Sequence, residues 1–403
     1  AEVTMKEISI VLLGVGQRGS LYGECAKKSK IPVKIAAICD KNPETLKKQG
    51  DLLEIPAERR FLNETELFAA GKLADAIAIS TLDKEHYREA VKAIDIGYHI
   101  LLEKPISPEE NEVADLRRRV AEKGVKVAVC HVLRYTPFFR KLKELIDGKT
   151  VGDVVNINHT ENVGYWHMAH SFVRGNFRNS EETSPMILQK CCHDFDILSW
   201  LVGGKCEYIS SIGELTFFKP ENAPKGSAEH CCDCSVADSC AYNAYKIYEK
   251  RKLVPIGLLS ERSNRFSRCV FHCDNNVVDH QLVNMKFDNG VSAHLTMTGF
   301  TKEFFRRIYV FCTYGVLEGR MEENVIFERR FSGEEIRHDL TEAIDKMSPH
   351  SGGDRLLFED FIKSIAGDKT SKGLTSFENS VQSHMMAFAA ETSRLEEGRA
   401  VKI

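Results

Sequence analysis

The chain has 403 residues, of which 43% are hydrophobic and 28% charged, and this length is sufficient for two domains with separate cores. The formal net charge of −3 favours neither nucleic acid nor an anionic membrane as a partner. No apolar run approaches the roughly 20 residues that cross a bilayer, and the N-terminus lacks a signal-peptide layout. Thirteen cysteines, an odd number, predict reduced thiols in a cytoplasmic protein rather than a secreted disulfide scaffold.

The first elements in the chain predict a dinucleotide-binding unit. An apolar strand at residues 7–13 leads directly into a G-x-G-x-x-G pattern, and a helix is predicted from Ser20 to about Lys30. The first glycine permits a tight turn, the second lets the backbone approach a pyrophosphate, and the third lets helix and strand pack closely. The helix N-terminus offers amide donors to the phosphates. The predicted cofactor contacts here are Gly14, Gly16, Gln17, Arg18 and Gly19.

The next strand, Val33–Cys39, ends at Asp40, where the motif requires an acidic residue. Asp40 is predicted to accept hydrogen bonds from the adenosine ribose. Its carboxylate would repel a 2′-phosphate, which favours NAD, while Lys41 beside it leaves NADP open. A glycine turn in another kind of α/β protein is the alternative. Because the strand, the helix and the acidic residue Asp40 all fall where the motif requires them, a dinucleotide-binding loop is favoured over such a turn.

Strands and helices then alternate. Strands are predicted at 75–80, 98–102 and 125–130, and helices at 84–96 and 108–123. The result is a doubly wound parallel sheet, and the Rossmann domain is assigned to residues 1–132. Ser80 and Thr81 follow a strand, where open α/β sheets bind ligands. His86 begins a helix and either contacts the cofactor or packs. Lys104 precedes Pro105, which restricts its backbone to extended geometry and admits a cis bond.

The remaining residues, 133–403, predict an α+β domain. β-prone runs occur at 151–160, 209–218, 277–287, 291–300, 307–318 and 325–331. Asp288-Asn289-Gly290 between two of them is a strong hairpin signal. Long strands in succession indicate a mostly antiparallel sheet, and two helical stretches within 353–403 close the chain.

With these motifs the sequence resembles the Gfo/Idh/MocA family of nicotinamide-dependent sugar oxidoreductases. The resemblance rests on the glycine motif, Ser80-Thr81 with His86, Glu103-Lys104-Pro105, Arg134-Tyr135, and His193 ahead of Asp196. It implies a Rossmann domain followed by an open-faced antiparallel sheet, with oligomers assembled through the exposed face of that sheet. It also implies that Glu103 and Lys104 lie beside the cofactor.

Alcohol oxidation requires a base for the hydroxyl proton, and the resemblance assigns His193 to that role. Its unperturbed pKa of about 6.5 is suitable. Lys104 would hydrogen-bond the same oxygen and stabilise developing alkoxide charge. One departure from the family pattern is Gln189, four residues before the histidine, where family dehydrogenases commonly have aspartate. Lys190 either stabilises the same oxygen or binds a substrate carboxylate, and Asp194 or Asp196 orients the imidazole.

The predicted substrate contacts combine aromatic, basic and amide side chains. Sugar sites favour an aromatic platform with polar groups around it, which the segment around Trp166 provides. His-x-x-His also suggests metal, but two histidines are a weak ligand set, and loop packing is a third interpretation. The contacts assigned are Arg134, Tyr135, Trp166, His167, His170, Arg174 and Gln189.

Cys231, Cys234 and Cys240 form the densest cysteine cluster, in a long excursion at about 219–255. They could supply three thiolates to a structural zinc, with His230 or a remote cysteine as the fourth ligand. Unlinked reduced thiols on a loop are the alternative. The spacing leaves both open.

The predicted function is NAD-dependent hydride transfer at a hydroxyl of a sugar, cyclitol or glycoside. An alternative on the same fold is an NAD-dependent glycosidase or lyase, which oxidises a hydroxyl transiently, eliminates the aglycone and regenerates NAD. Net NADH formation separates the two. A regulatory cofactor-binding protein without catalysis is a third class, against which the presence of both Lys104 and His193 argues.

Overall fold

The computed structural model describes residues 7–344 and 349–403, and these form two compact units. The first unit runs to Gly148 and also takes in Phe195–Leu201 and Asp339–Met385. The second comprises Lys149–Asp194, Val202–His338 and Met386–Ile403. No helix within the described residues is long and apolar enough to cross a membrane.

The first unit contains a six-stranded sheet whose paired strands all run parallel. Its order is β3-β2-β1-β4-β5-β6, which confirms the predicted doubly wound sheet. The strands are β1 (Ile8–Leu13), β2 (Val33–Cys39), β3 (Arg60–Phe61), β4 (Ala76–Ile79), β5 (His99–Leu102) and β6 (Val127–Val129). The helices up to Gly148 are α1 (Gln17–Lys28), α2 (Pro43–Leu52), α3 (Glu64–Ala69), α4 (Asp83–Ile96), α5 (Glu110–Lys123) and α6 (Pro137–Asp147).

The second unit contains a nine-stranded, mostly antiparallel sheet in the order β14-β13-β12-β11-β7-β10-β9-β8-β15. Only the β7–β10 pair among the described pairings of this sheet is parallel. The strands are β7 (Val154–Asn162), β8 (Cys206–Glu214), β9 (His280–Phe287), β10 (Ser292–Thr298), β11 (Phe305–Cys312), β12 (Gly315–Arg320), β13 (Val325–Arg330), β14 (Glu335–Asp339) and β15 (Val401–Lys402). The remaining helices are α7 (Tyr165–His167), α8 (Met186–Val202), α9 (Ala244–Arg251), α10 (Gly353–Ala366) and α11 (Phe377–Leu395).

Several details differ from the sequence prediction, among them one strand and one helix. The run at 307–318 is not one strand, because a turn at Thr313 and Tyr314 divides it into β11 and β12, which pair antiparallel. Helix α10, expected to close the chain, packs into the core of the first unit, where Phe358 stacks on Tyr22 with ring centroids 6.3 Å apart. The hairpin predicted at Asp288-Asn289-Gly290 is confirmed by the β9–β10 pairing.

Candidate functional site

Three neighbouring parallel strands, β1, β4 and β5, end at the same edge of the first sheet. The glycine motif follows β1, Ser80 and Thr81 follow β4, and Glu103 and Lys104 follow β5. The carboxyl ends of such strands form the ligand-binding edge of an open α/β sheet. The structure therefore brings together the residues that the sequence assigned to the cofactor.

The glycine motif has the conformation that a dinucleotide requires. Gly14 has φ +81°, and a Cβ there would lie 2.8 Å from the backbone carbon and oxygen of Ser80. A Cβ on Gly19 would lie 1.8 Å from the Gly14 carbonyl oxygen, so α1 can pack against the loop only without a side chain. A Cβ on Gly16 would meet no atom within 4 Å. That open side of the loop is where a pyrophosphate would approach the backbone.

The surroundings of this loop also suit a dinucleotide. Helix α1 begins directly after Gly16, and its first turn carries no acidic residue that would oppose a phosphate. Asp40, at the end of β2, accepts hydrogen bonds from the backbone amides of Val15 and Asn42, both at 2.9 Å. Its carboxylate is thus fixed beside the loop at the ribose position of the motif. The donor set fits an NAD-type cofactor.

The Arg18 side chain turns into the protein. Its Nε donates to Glu103 Oε1 at 2.6 Å, and its Nη2 donates to the Tyr22 hydroxyl at 2.7 Å and to Asp354 Oδ1 at 2.6 Å. Burial alone would lower the pKa of Arg18, but the Glu103 carboxylate raises it well above its ordinary value. The guanidinium therefore links the glycine motif to the strand end that carries Lys104.

The loop after β4 is held by His86 and Glu89, which are both buried. The ring nitrogens of His86 lie 2.7 Å from the Pro105 carbonyl oxygen and 3.2 Å from that of Thr81. Thr81 Oγ1 donates to Glu89 Oε2 at 2.5 Å. His86 thus connects the loop after β4 with the segment after β5. Both follow strands that end at the ligand-binding edge of the sheet, which is called the cofactor edge below.

Lys104 is half-buried directly after β5, and its peptide bond to Pro105 is cis. Two nearby predicted substrate residues are engaged inside the first unit. Arg134 forms a two-point ion pair with the fully buried Asp196, with both N–O distances 2.7 Å. The hydroxyl of Tyr135 donates to Asp360 at 2.7 Å. Asp196 and Asp360 therefore already bind the Arg134 guanidinium and the Tyr135 hydroxyl, the groups that were predicted to contact a substrate.

Helix α8 carries the other candidate catalytic residues in the second unit. Gln189 and Lys190 each lie one helical turn before His193, and Asp194 lies one turn after Lys190. His193 is 8% exposed, and Asp194 is fully buried. The helix thus places the lysine and the glutamine each within one turn of the histidine.

Lys190 and Asp194 belong to an ion network that the sequence did not predict. Asp194 Oδ1 lies 2.7 Å from His159 Nε2 and accepts from Arg306 Nε at 2.9 Å. Arg306 Nη2 also pairs with Glu161 at 2.6 Å, and Glu161 pairs with Lys190 Nζ at 3.2 Å. Burial opposes ionisation of Asp194, yet the Arg306 guanidinium holds its pKa well below the usual range. Two cations, Arg306 and Lys190, therefore face two carboxylates, Asp194 and Glu161.

The segment around Trp166 is packed against other side chains of the second unit. Arg251 lies 4.3 Å from the Trp166 ring centroid, and His167 stacks on Trp166 at 5.4 Å. His170 stacks on Phe266 at 4.8 Å, and burial lowers its pKa. The aromatic groups assigned to a sugar platform are therefore in contact with protein rings and with a guanidinium.

The geometry of the cysteine cluster does not support the structural zinc that the sequence spacing left open. Cys231, Cys234 and Cys240 line one cavity of about 20 Å³ together with Cys269 and the buried Arg174. Even so, no group of three or more histidine, cysteine, aspartate or glutamate side chains in the described chain could hold a metal ion. Arg174 Nη2 lies 3.8 Å from Cys231 Sγ, and a guanidinium there repels a second cation. Burial also raises the pKa of Cys240 and Cys269, which favours thiols over the thiolates that zinc requires.

All thirteen cysteines lie within the described residues, where each is a free thiol. The ion network and the contacts of Arg18 contain four residues that sequence reasoning missed: His159, Glu161, Arg306 and Asp354. Each contacts its partners across a long sequence separation, and no local motif marks any of them.

Two family models match the chain. One, described as "Oxidoreductase family, NAD-binding Rossmann fold", covers residues 8–131. The other, described as "GFO/IDH/MocA C-terminal domain", covers residues 139–318. The first match contains the glycine motif and Lys104, and the second contains Trp166 and His193.

The chain is also similar to individual relatives along much of its length. YteT of Bacillus subtilis (strain 168) is 24% identical over 81% of this chain and 82% of its own length. The 2,7-anhydro-N-acetylneuraminate hydratase of Mediterraneibacter gnavus is 22% identical over 52% of this chain. The inositol 2-dehydrogenase of Corynebacterium glutamicum (strain ATCC 13032) is 22% identical over 50% of it. The last two matches span only 53% and 56% of those relatives' own lengths.

Solved structures share the fold over nearly the full length. An oxidoreductase from Agrobacterium radiobacter in complex with NAD+, L-tartaric acid and magnesium has a TM-score of 0.73 at 17% identity, covering 98% of each chain. The scyllo-inositol dehydrogenase from Lactobacillus casei with bound NAD(H) and scyllo-inositol has a TM-score of 0.69 at 17% identity. That match covers 98% of this chain and 99% of the other.

Proposed function

Because the chain belongs to the Gfo/Idh/MocA family of NAD-binding oxidoreductases, we propose that it transfers hydride between NAD and a hydroxyl of a sugar, cyclitol or glycoside. The inositol 2-dehydrogenase relative supports a polyol substrate. The observation that carries the proposal is the edge of the first sheet. There the glycine motif follows β1 and Lys104 follows β5, two parallel strands on either side of β4, so both lie at the ligand-binding edge of the sheet.

In this proposal His193 accepts the hydroxyl proton as the alcohol becomes a carbonyl. Lys104 donates a hydrogen bond to the same oxygen and stabilises its developing negative charge. Bound NAD supplies the hydride acceptor. The overall balance is one alcohol and NAD+ giving one carbonyl compound, NADH and a proton.

Lys190 and Asp194 have supporting roles in the proposal. Lys190 lies one helical turn before His193 and pairs with Glu161, and in this proposal its ammonium stabilises the same oxygen or binds a substrate carboxylate. Asp194 is tied to Arg306 and His159, so it fixes the helix that carries His193 rather than the imidazole itself. The alternative assignment of Asp194 to the imidazole is disfavoured because adjacent helical residues do not face each other.

We assign NAD rather than NADP to this site. The Asp40 carboxylate is fixed by two backbone amides and would repel a 2′-phosphate. The matched assay with NADP in place of NAD tests this choice.

A second candidate is redox-neutral chemistry with retained NAD, in which a transiently formed ketone acidifies the neighbouring C–H and lets an aglycone leave. The similarity to a hydratase supports redox-neutral chemistry as the second candidate, because hydration involves no net oxidation. Gln189 in place of the usual aspartate, with Lys190 beside it, is compatible with a second acid–base step.

An anaerobic incubation with NAD and a panel of sugars, cyclitols and aryl glycosides tests the two candidates. Reduced nicotinamide and released aglycone are followed together. We expect stoichiometric NADH with the glycoside intact. Substituting His193→Asn or Lys104→Met should lower kcat by about 10²–10⁴-fold, the usual contribution of a positioned acid or base.

Aglycone release with catalytic NAD and no accumulation of NADH would contradict the first candidate and support the second. If both variants keep the wild-type rate, the assignment of His193 and Lys104 is wrong. Binding of NADH, measured by fluorescence for each variant, controls for loss of the cofactor site.

A further inference from the structure

The segment 103–106, which carries Lys104, is anchored at its first residue. Glu103 Oε1 accepts hydrogen bonds from Arg18 Nε and from the Tyr22 hydroxyl, both at 2.6 Å. Glu103 Oε2 accepts from the backbone amide of Lys104 at 3.1 Å. Asp354 holds the same Arg18 from the other side. The start of the segment is thus fixed by buried, charge-assisted hydrogen bonds.

The end of the segment is anchored by a residue distant in sequence. The backbone amide of Ile106 donates to His384 Nε2 at 2.9 Å. His384 lies in α11, and its other nitrogen, Nδ1, is 3.0 Å from the Ser380 carbonyl oxygen. A carbonyl can only accept, so Nδ1 carries the proton and Nε2 is left as the acceptor.

The environment keeps His384 in that form. It is fully buried, and burial together with the neighbouring His131 lowers its pKa to about 3. The Lys104 ammonium also lowers it, which places its charge close to this ring. His384 is therefore neutral at any pH suited to catalysis, and its acceptor nitrogen is permanently directed at the Ile106 amide.

We propose, on the basis of the function assigned above to Lys104, that His384 is a positioning residue for that lysine. It fixes the backbone two residues beyond Lys104, and Glu103 fixes the backbone before it. With both ends held, the backbone of Lys104 is fixed, and so is the direction in which its side chain leaves the chain. Because a misplacement of 1 Å can cost about 100-fold in rate, such an anchor matters to catalysis without touching the substrate.

Replacing His384 with asparagine or with glutamine provides a matched test, because each amide side chain reproduces one nitrogen position of the imidazole ring. The Asn amide nitrogen occupies roughly the place of Nδ1, so His384→Asn keeps the Ser380 contact and loses the acceptor for Ile106. The Gln amide oxygen reaches roughly the place of Nε2, so His384→Gln keeps that acceptor. Phe377→Leu, at the first position of the same helix, controls for a general loss of packing.

We expect His384→Asn to lower kcat about tenfold with KM for NAD unchanged, and His384→Gln to restore most of it. A second readout does not depend on turnover. Lysines are reductively methylated with ¹³C, and the Lys104 resonance is identified by its loss in Lys104→Arg. That resonance should move in His384→Asn but not in His384→Gln or Phe377→Leu.

The outcomes are distinguishable. If the wild type forms no NADH but the Lys104 resonance responds to His384→Asn alone, the proposed function fails and the positioning role stands. If the resonance and kcat respond equally to Asn and Gln, or to neither, the positioning role is overturned.

Discussion

At the cofactor edge, the single carboxyl of Glu89 links the stability of the fold to pH. Glu89 is 2% exposed, and its one described partner is the Thr81 hydroxyl. Burial raises the pKa of Glu89 from 4.5 to about 8, although the Thr81 hydrogen bond acts in the opposite direction. The group is therefore predominantly protonated in the folded protein at neutral pH.

This raised pKa predicts a loss of stability as pH rises. Between pH 4.5 and 8 the unfolded chain releases the proton and the folded protein keeps it, so the free energy of unfolding falls by up to about 1.4 kcal/mol per pH unit. Glu89→Gln removes this dependence. The variant should unfold at a higher temperature than the wild type at pH 8, with the difference shrinking towards pH 5.

The matched control for this experiment is Glu85→Gln, one helical turn earlier, where the side chain is half-exposed and paired with Arg88. That substitution should leave the pH dependence of the unfolding temperature unchanged. Parallel curves for the wild type and Glu89→Gln between pH 5 and 8 would show that the carboxyl does not titrate as assigned.

At the scale of elements, local patterns predicted what depends on local sequence. The strand runs, the G-x-G-x-x-G loop and the Asp288-Asn289-Gly290 hairpin each specify their own backbone geometry, and all are present. The short strand β3 and helices α2 and α3 were missed, because they are short and their apolar period is weak. The divided run at 307–318 was missed because alternation continues on both sides of the turn.

The ion network behind α8 could not be predicted for a different reason. Arg306 contacts both Asp194 and Glu161. These three residues lie on β11, α8 and β7, so the three elements must pack together before the charges meet. The spacing of residues along the sequence does not indicate which distant side chains form ion pairs. The same reason explains why His384 and Asp354 gave no signal.

The network predicts a sharp contrast between neighbouring residues of β11. Arg306 points inward and holds two buried carboxylates, so Arg306→Met leaves both without their shared cation and should cost about 3–5 kcal/mol of unfolding free energy. Arg307 points outward to Glu323, and Arg307→Met should cost less than about 1 kcal/mol. The midpoint of urea unfolding measures both. Equal shifts for the two variants would mean that the buried network contributes little.

At the scale of the whole molecule, the outward face of the nine-stranded sheet remains available to a partner. One row crosses its centre, in which Asn284 pairs with His294, His294 with Asn158, and Asn158 with Tyr309. Tyr309 is exposed on this face and stacks on Phe311 at 6.1 Å, and Ile212 is also exposed. We propose that this face joins copies of the chain into a homo-oligomer.

A substitution at the centre of that row tests the oligomer. Tyr309→Glu places a charge where two faces would meet, and burying an unpaired carboxylate is costly, so the assembly should dissociate. Tyr309→Phe keeps the ring and should preserve the wild-type mass. Light scattering after size-exclusion chromatography measures the mass of each form, and circular dichroism confirms that the variants are folded. A wild type with the mass of one chain, or a Tyr309→Glu variant with the wild-type mass, would show that subunits do not meet on this face.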